Sequence, residues 1–441
     1  MPSSADRVTD DSGVEFVLGK VIAAGAQGTV YRVEGHPDRA IKLLTRREYL
    51  ARIAAVRRLP LDQLPVAAPI TLITSGKAGY VMRLASDMSP VRQPYLPQEF
   101  GARETRATWY METGGLSRRL AIAASMAQTL AALHERGLAY VDLNPNNVMV
   151  SDDFSRTETW LIDTDNLTSR AQPEWDVVGF PGYAAPERAR HFAPPSTLAD
   201  AYVLAVHVFR MLVLRHPLEG LAVEDLDAGE SRARMDRGEF AYVDDPDDSS
   251  NRIPERIFPA GIFPLVMSGR MRALAVDTFG SGRLTPRARP GSARWRDVLY
   301  HALDNVVACP AGCGWTYFRL RSACPSCGEP SSPPMVLTIY PGPAGSPLIA
   351  RDSLVVRPDE DTVVAPRHLW GRHDLTDPVL TLRPARGGLQ VVAHDDAVVA
   401  DPEGKPVSKI RTTKEGQVNR LVLTCPNRPL RHLAIRTVHF S

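Results

Sequence analysis

YVDLNPNNVMV (140–150) places Asp142 and Asn147 in a D-x-x-x-x-N frame between a helical segment and a short apolar strand. Just upstream, LSRRLAIAASMAQTLAALHERG (116–137) sets Leu120, Ala124, Ala127, Leu130 and His134 on one face at helical spacing. Just downstream, LIDTDN (161–166) is an apolar strand that ends in Asp163. These residue types suit phosphoryl transfer. An aspartate accepts or orients the proton of an attacking hydroxyl, and an asparagine carbonyl with a second aspartate holds a divalent cation against phosphates. Either aspartate taken alone could be a turn residue. Their order and spacing after Lys42 argue for a site.

Toward the N-terminus the pattern is different. Residues 14–84 alternate short β-type runs with turn signals, interrupted by one helical pattern at 46–58. AAGAQGTVY (23–31) carries Gly25 and Gly28, whose missing side chains let a backbone close over phosphates, with Val30 following. An ordinary glycine hairpin has the same letters. AIK (40–42) then puts Lys42 on the next strand, within reach of α- and β-phosphates. The expected fold class is α+β: a β-rich small lobe (14–85) and a helical large lobe (86–304).

Several further motifs resemble the eukaryotic-like protein kinase family over about residues 14–304. AAPE (184–187) resembles its APE motif, LADAYVLAVHVF (198–209) its tethering helix with Asp200, and RARPGSARW (287–295) its final arginine motif. The resemblance implies the bilobal protein-kinase fold, ATP with Mg²⁺ (or Mn²⁺), and a buried Glu187–Arg289 pair. It implies catalytic roles for Lys42 and Asp142, metal ligation by Asn147 and Asp163, and nucleotide contacts from Gly25, Gly28, Val30, Lys42, the gatekeeper position Met82 and the hinge residue Leu84. The family pairs its strand lysine with a helix glutamate, and Glu48 is the only glutamate between Lys42 and the end of the small lobe. Thr45-x-x-Glu48 also fits a capping box.

The pattern departs from the family at Ala23, Val141, Asn144, Asp165 and GFPGY (179–183). Val141 stands where an arginine would receive a phosphorylated loop, so activity independent of loop phosphorylation is expected. Asn144 replaces a lysine, which implies slow turnover. D-L-N-P-x-N, D-T-D and R-H-P-x-x-G resemble a bacterial subgroup linked to tellurite-type stress operons. That kinship implies stress signalling, with a metal-dependent protein phosphatase and a von Willebrand A-type protein as partners. The leading reading is a protein serine/threonine kinase. The alternatives are a nucleotide-binding pseudokinase scaffold and a small-molecule phosphotransferase.

CPAGC (309–313) and CPSC (324–327) gather Cys309, Cys313, Cys324 and Cys327 in two knuckles, a pattern that suits structural Zn²⁺ in a ribbon at 305–330. SSPP and PGPAGSP then break the chain, and 335–441 reads as an all-β, sandwich-like accessory domain. LWGRHDLTD (369–377) resembles the G-R…D-x-x-D region of forkhead-associated domains, without the serine–arginine signature that follows there. The role is open between a docking module and a passive cap. A net charge of +2 over 441 residues argues against nucleic acid as a partner. The N-terminus lacks a basic head followed by an apolar run, no stretch reads as a membrane span, and the odd count of five cysteines argues against a disulfide framework. A cytoplasmic protein acting on protein substrates is expected.

Overall fold

The computed structural model describes residues 7–95, 103–169, 179–254, 261–342, 349–357, 359–411 and 417–440. The end of the PGPAGSP break lies outside them. The chain forms two compact units, one of residues 1–106, 122–263 and 272–296, the other of 107–121, 264–271 and 297–441.

The first unit begins with a six-stranded antiparallel sheet in the order β1-β2-β3-β4-β6-β5. Its strands are β1 (Arg7–Thr9), β2 (Glu15–Gly25), β3 (Gly28–Val33), β4 (His36–Leu44), β5 (Pro69–Ile73) and β6 (Gly79–Arg83). Successive side chains of a strand point to opposite faces. In β4, Ile41 and Leu43 therefore join Phe16, Val33 and Val81 on one side. Ala40 and Leu44 join Tyr80 and Met82 on the other, where helix α1 (Leu50–Val56) supplies Ile53. Lys42 belongs to this second face, between Val30 on β3 and Tyr80 on β6. A Cβ on Gly79 would lie 2.5 Å from the Lys42 carbonyl, so glycine is what lets the two strands approach here.

The helical part of this unit is organised by the buried helix Thr197–Val213. The Ser196 hydroxyl caps it, accepting from the Ala199 amide at 3.1 Å, and Leu214 ends it in the left-handed region at φ 62°. Its apolar residues exclude water. Its buried polar residues include Asp200 and His207, while the Tyr202 hydroxyl and His207 Nδ1 are buried without a hydrogen-bond partner among the described residues. Burial pushes His207 down to about 4, so the neutral imidazole donates from Nε2 to the Leu143 carbonyl at 3.0 Å. Arg289 meets Glu187 through two 2.7 Å bonds, with the arginine side chain fully buried.

The second unit contains the ribbon hairpin Val306–Ala308/Thr316–Phe318 and a β-sandwich. One sheet runs in the order Asp352–Val356, Met335–Pro341, Arg431–Thr437, Asn419–Thr424, Val398–Ala400. The other runs Thr362–Val364, Leu380–Ala385, Gly388–Ala393, Lys409–Arg411. Both are antiparallel, and inward residues such as Leu337, Ile339, Leu382, Val391 and Leu433 share one core. Cys425 packs against its edge. Asp304 is tied to Arg367 at 2.6 and 2.8 Å and to His368 at 3.2 Å, and these partners hold its carboxyl well below the usual range despite burial. Within LWGRHDLTD, Gly371 takes φ 69° to end the helix Pro366–Trp370, and Arg372 pairs with Asp374 on the surface.

Candidate active site

Asp200 builds the platform for the catalytic segment. Its two carboxylate oxygens accept from the backbone amides of Tyr140 (2.7 Å) and Val141 (3.0 Å), and His134 lies 3.1 Å away. This grip holds Val141 at φ 75°, a costly conformation for a β-branched residue, worth about 1–3 kcal/mol of strain. The strain turns the chain just before Asp142.

Asp142 is held at both oxygens. Asn144 Nδ2 donates to Oδ1 at 2.9 Å, and Asn147 Nδ2 donates to Oδ2 at 3.0 Å. Asn144 thus anchors the aspartate from the position where the family pattern has a lysine. Burial raises the Asp142 pKa above the ordinary carboxylate value, with repulsion from Asp163 adding to it and the two amides opposing it. The strands Val148–Ser151 and Thr159–Leu161 pair behind this loop, and the Ile162 amide bonds the Asn147 carbonyl at 2.9 Å. That pairing brings Asp163, itself left-handed at φ 56°, back toward the sheet.

Lys42 Nζ bridges two carboxylates, Asp163 Oδ1 at 2.5 Å and Asp165 Oδ2 at 2.6 Å. The other oxygen of Asp165 accepts from the Tyr80 hydroxyl. Burial works against the Lys42 ammonium, but Asp165 and then Asp163 outweigh it, and its pKa is raised. Burial also raises the Asp165 pKa, opposed first by Lys42.

Lys42, Asp142, Asn147 and Asp163 are therefore brought together. Glu48 is not. The expected Lys42–Glu48 pair is absent: the Glu48 carboxylate is 69% exposed and lies 3.3 Å from Arg46. The chain from Lys42 into the 3-10 turn Arg47–Tyr49 is too short to swing that residue back under the sheet. The capping-box alternative is not formed either, because the Thr45 hydroxyl donates to the Ala26 carbonyl at 3.0 Å. The partner that sequence reasoning missed is Asp165. Its signal was a second carboxylate in D-T-D, noted only as a departure.

Gly25 and Gly28 close the β2–β3 hairpin as a pair. A Cβ on Gly28 would sit 2.3 Å from the Leu43 carbonyl, so strand approach alone demands glycine there. Gly25 faces open space. Val30, Met82 and Leu84 line the same apolar face as Lys42, Met82 buried and the other two partly so. In the loop GFPGY, Asp236 accepts from the Gly182 amide at 2.9 and 3.0 Å and from Ala184 at 3.3 Å.

The protein kinase domain family matches residues 16–255. The chain belongs to the protein kinase family. This kinase is 24% identical to protein kinase YegI of Escherichia coli K12 over 342 residues, covering 73% of this chain and 50% of that relative. It is 26% identical over 191 residues to the serine/threonine-protein kinase AfsK of Streptomyces griseus, with 43% and 23% covered. With PknD of Chlamydia pneumoniae, also a serine/threonine-protein kinase, it shares 29% over 229 residues, 45% and 24% of the two chains. The match spans about half the length of YegI and less of the others. The kinase thus resembles eukaryotic-like bacterial serine/threonine kinases. Among the described residues, no helix is long and apolar enough to cross a membrane.

In the second unit, the sulfurs of Cys309, Cys313, Cys324 and Cys327 lie within 4.8 Å of one another, with Cys309–Cys327 at 3.4 Å and Cys313–Cys324 at 3.7 Å. Zn–S bonds of about 2.3 Å in a tetrahedron set sulfurs about 3.8 Å apart. The residues fit a four-thiolate zinc ion. Gly314 and Gly328, at φ 84° and 76°, make the turns that follow each cysteine pair.

Proposed function

We propose that this kinase transfers the γ-phosphate of ATP to Ser or Thr hydroxyls of protein substrates. The observation that carries this reading is the convergence of Lys42, the Asp142–Asn147 loop and Asp163 from three separate segments, with Lys42 Nζ 2.5 Å from Asp163 and Asn147 Nδ2 3.0 Å from Asp142. Asn147 spends its amide hydrogens on Asp142, which leaves its carbonyl oxygen for a hard cation. With Asp163 it would hold Mg²⁺ or Mn²⁺, which neutralises charge on the phosphates when bound. Asp142 accepts or orients the proton of the incoming hydroxyl. Lys42 steadies the α- and β-phosphates beneath the Gly25 hairpin, and Val30, Met82 and Leu84 flank the adenine.

Within this reading the kinase domain is 14–304, the ribbon 305–330, held by structural Zn²⁺, and the accessory β-domain 335–441. The proposed stress-signalling role, with a metal-dependent phosphatase and a von Willebrand A-type protein as partners, rests on the D-L-N-P-x-N, D-T-D and R-H-P-x-x-G motifs. The proposed cytoplasmic location rests on an N-terminal sequence without a basic head and apolar run and on the odd count of five cysteines. Radiolabelled γ-phosphate transfer to a protein acceptor, followed by phosphoamino-acid analysis, tests the reaction. Phosphoserine or phosphothreonine is expected. Label on tyrosine alone, or none on protein, would overturn it.

A further inference from the structure

Lys42 has two carboxylate partners of different character. Asp163 is 29% exposed at its side chain, whereas Asp165 is 2% exposed and held at its second oxygen by Tyr80. Tyr80 is the cross-strand neighbour of Lys42, so the sheet register sets both ends of the Asp165 clamp. Glu48 takes no part.

We propose that Asp165 is the permanent positioning residue for Lys42, doing from the catalytic segment what the helix glutamate does elsewhere in the family. This rests on the kinase reading above. Asp163 is the exchangeable partner, released to the metal when nucleotide arrives, while Asp165 keeps the ammonium in place. A buried carboxylate with a cation on one oxygen and a hydroxyl on the other has no freedom to follow it. Two consequences follow. Anchoring of Lys42 does not depend on where α1 sits, so this kinase is assembled for catalysis without a helix swing. Without Asp165, Lys42 would fall back on Asp163 alone and compete with the cation for it.

The test measures kcat and half-saturating Mg²⁺ for the full chain, Asp165→Asn and Glu48→Gln. Losing a charge-assisted bond of this kind lowers rates about 10- to 100-fold. Asp165→Asn is expected to lose that much kcat and to need more Mg²⁺. Glu48→Gln should stay within about 2-fold of the parent on the same scale. Loss with Glu48→Gln and not with Asp165→Asn overturns the proposal, as does a kcat loss with unchanged Mg²⁺ dependence. Should Asp165→Asn not fold, Tyr80→Phe, which removes only the hydroxyl on Asp165, must still lower kcat about 2- to 10-fold. An unchanged value sinks the idea. A parent chain that transfers no phosphate defeats the kinase reading instead. The clamp is then judged by thermal melting of Lys42→Met, Asp165→Asn and the double variant: melting shifts that simply add refute it, and non-additive shifts uphold it.

Discussion

Asp236→Asn should stabilise this kinase at pH 8 and do about half as much at pH 5. Burial lifts the Asp236 pKa from 3.8 to about 6, against the Gly182 and Ala184 amides and the nearby Arg232 and Arg210. An acid whose folded pKa is raised favours folding below its unfolded pKa, and that contribution is lost as pH climbs through the folded pKa. A rise of about two units is worth about 3 kcal/mol at pH 8. Of this, about 1.4 kcal/mol is lost between pH 5 and pH 8. Asparagine does not titrate, and its single oxygen can keep the bonds that Oδ1 now accepts, from Gly182 at 3.0 Å and Ala184 at 3.3 Å. Matched urea unfolding of parent and variant at both pH values reads the difference. The variant's advantage should grow by about 1.4 kcal/mol from pH 5 to pH 8. If it shrinks, or the variant is the less stable at pH 8, the arginines outweigh burial and the reasoning fails.

Other perturbations test other parts. Arg289→Met strands the Glu187 carboxylate, and chemical denaturation should show a loss of about 3–5 kcal/mol. Asp200→Asn leaves one oxygen for two amides, so the Val141 turn relaxes, and kcat should fall about 10-fold with substrate KM little changed. A strong chelator should release zinc and unfold 305–330 in hydrogen-exchange mass spectrometry, since such sites contribute on the order of 10–16 kcal/mol; protection that survives metal loss would count against the ribbon. Thr164 and Thr168 are buried, so active protein should carry no phosphate on either by mass spectrometry.

The arrangement of this kinase was legible wherever local chemistry and spacing coincide. Asp142 and Asn147 are five residues apart in one loop, and a D-x-x-x-x-N string can be read directly. The four cysteines announce their own geometry. That AIK lies on a strand was readable, but residues 40–44 are buried throughout, so the face Lys42 shares with Tyr80 and Met82 comes from strand register and not from an apolar–polar alternation. What sequence could not supply was the partner of Lys42. That choice depends on where a short connection leaves Glu48 and on a left-handed turn at Asp163 that delivers Asp165 across 123 residues of chain. Elimination among glutamates picked the right charge and the wrong residue. Gly28 shows the same limit, since its need for glycine comes from the Leu43 carbonyl on a neighbouring strand.

The most direct measurement compares γ-phosphate transfer by the parent chain and by Asp142→Asn, with nucleotide affinity followed in parallel. Asparagine keeps the shape but cannot take a proton, so kcat should fall at least about 100-fold, the low end for general-base loss, while affinity changes little. Equal rates from the two proteins would mean that Asp142 does not act on the hydroxyl, and the account of this site would be wrong.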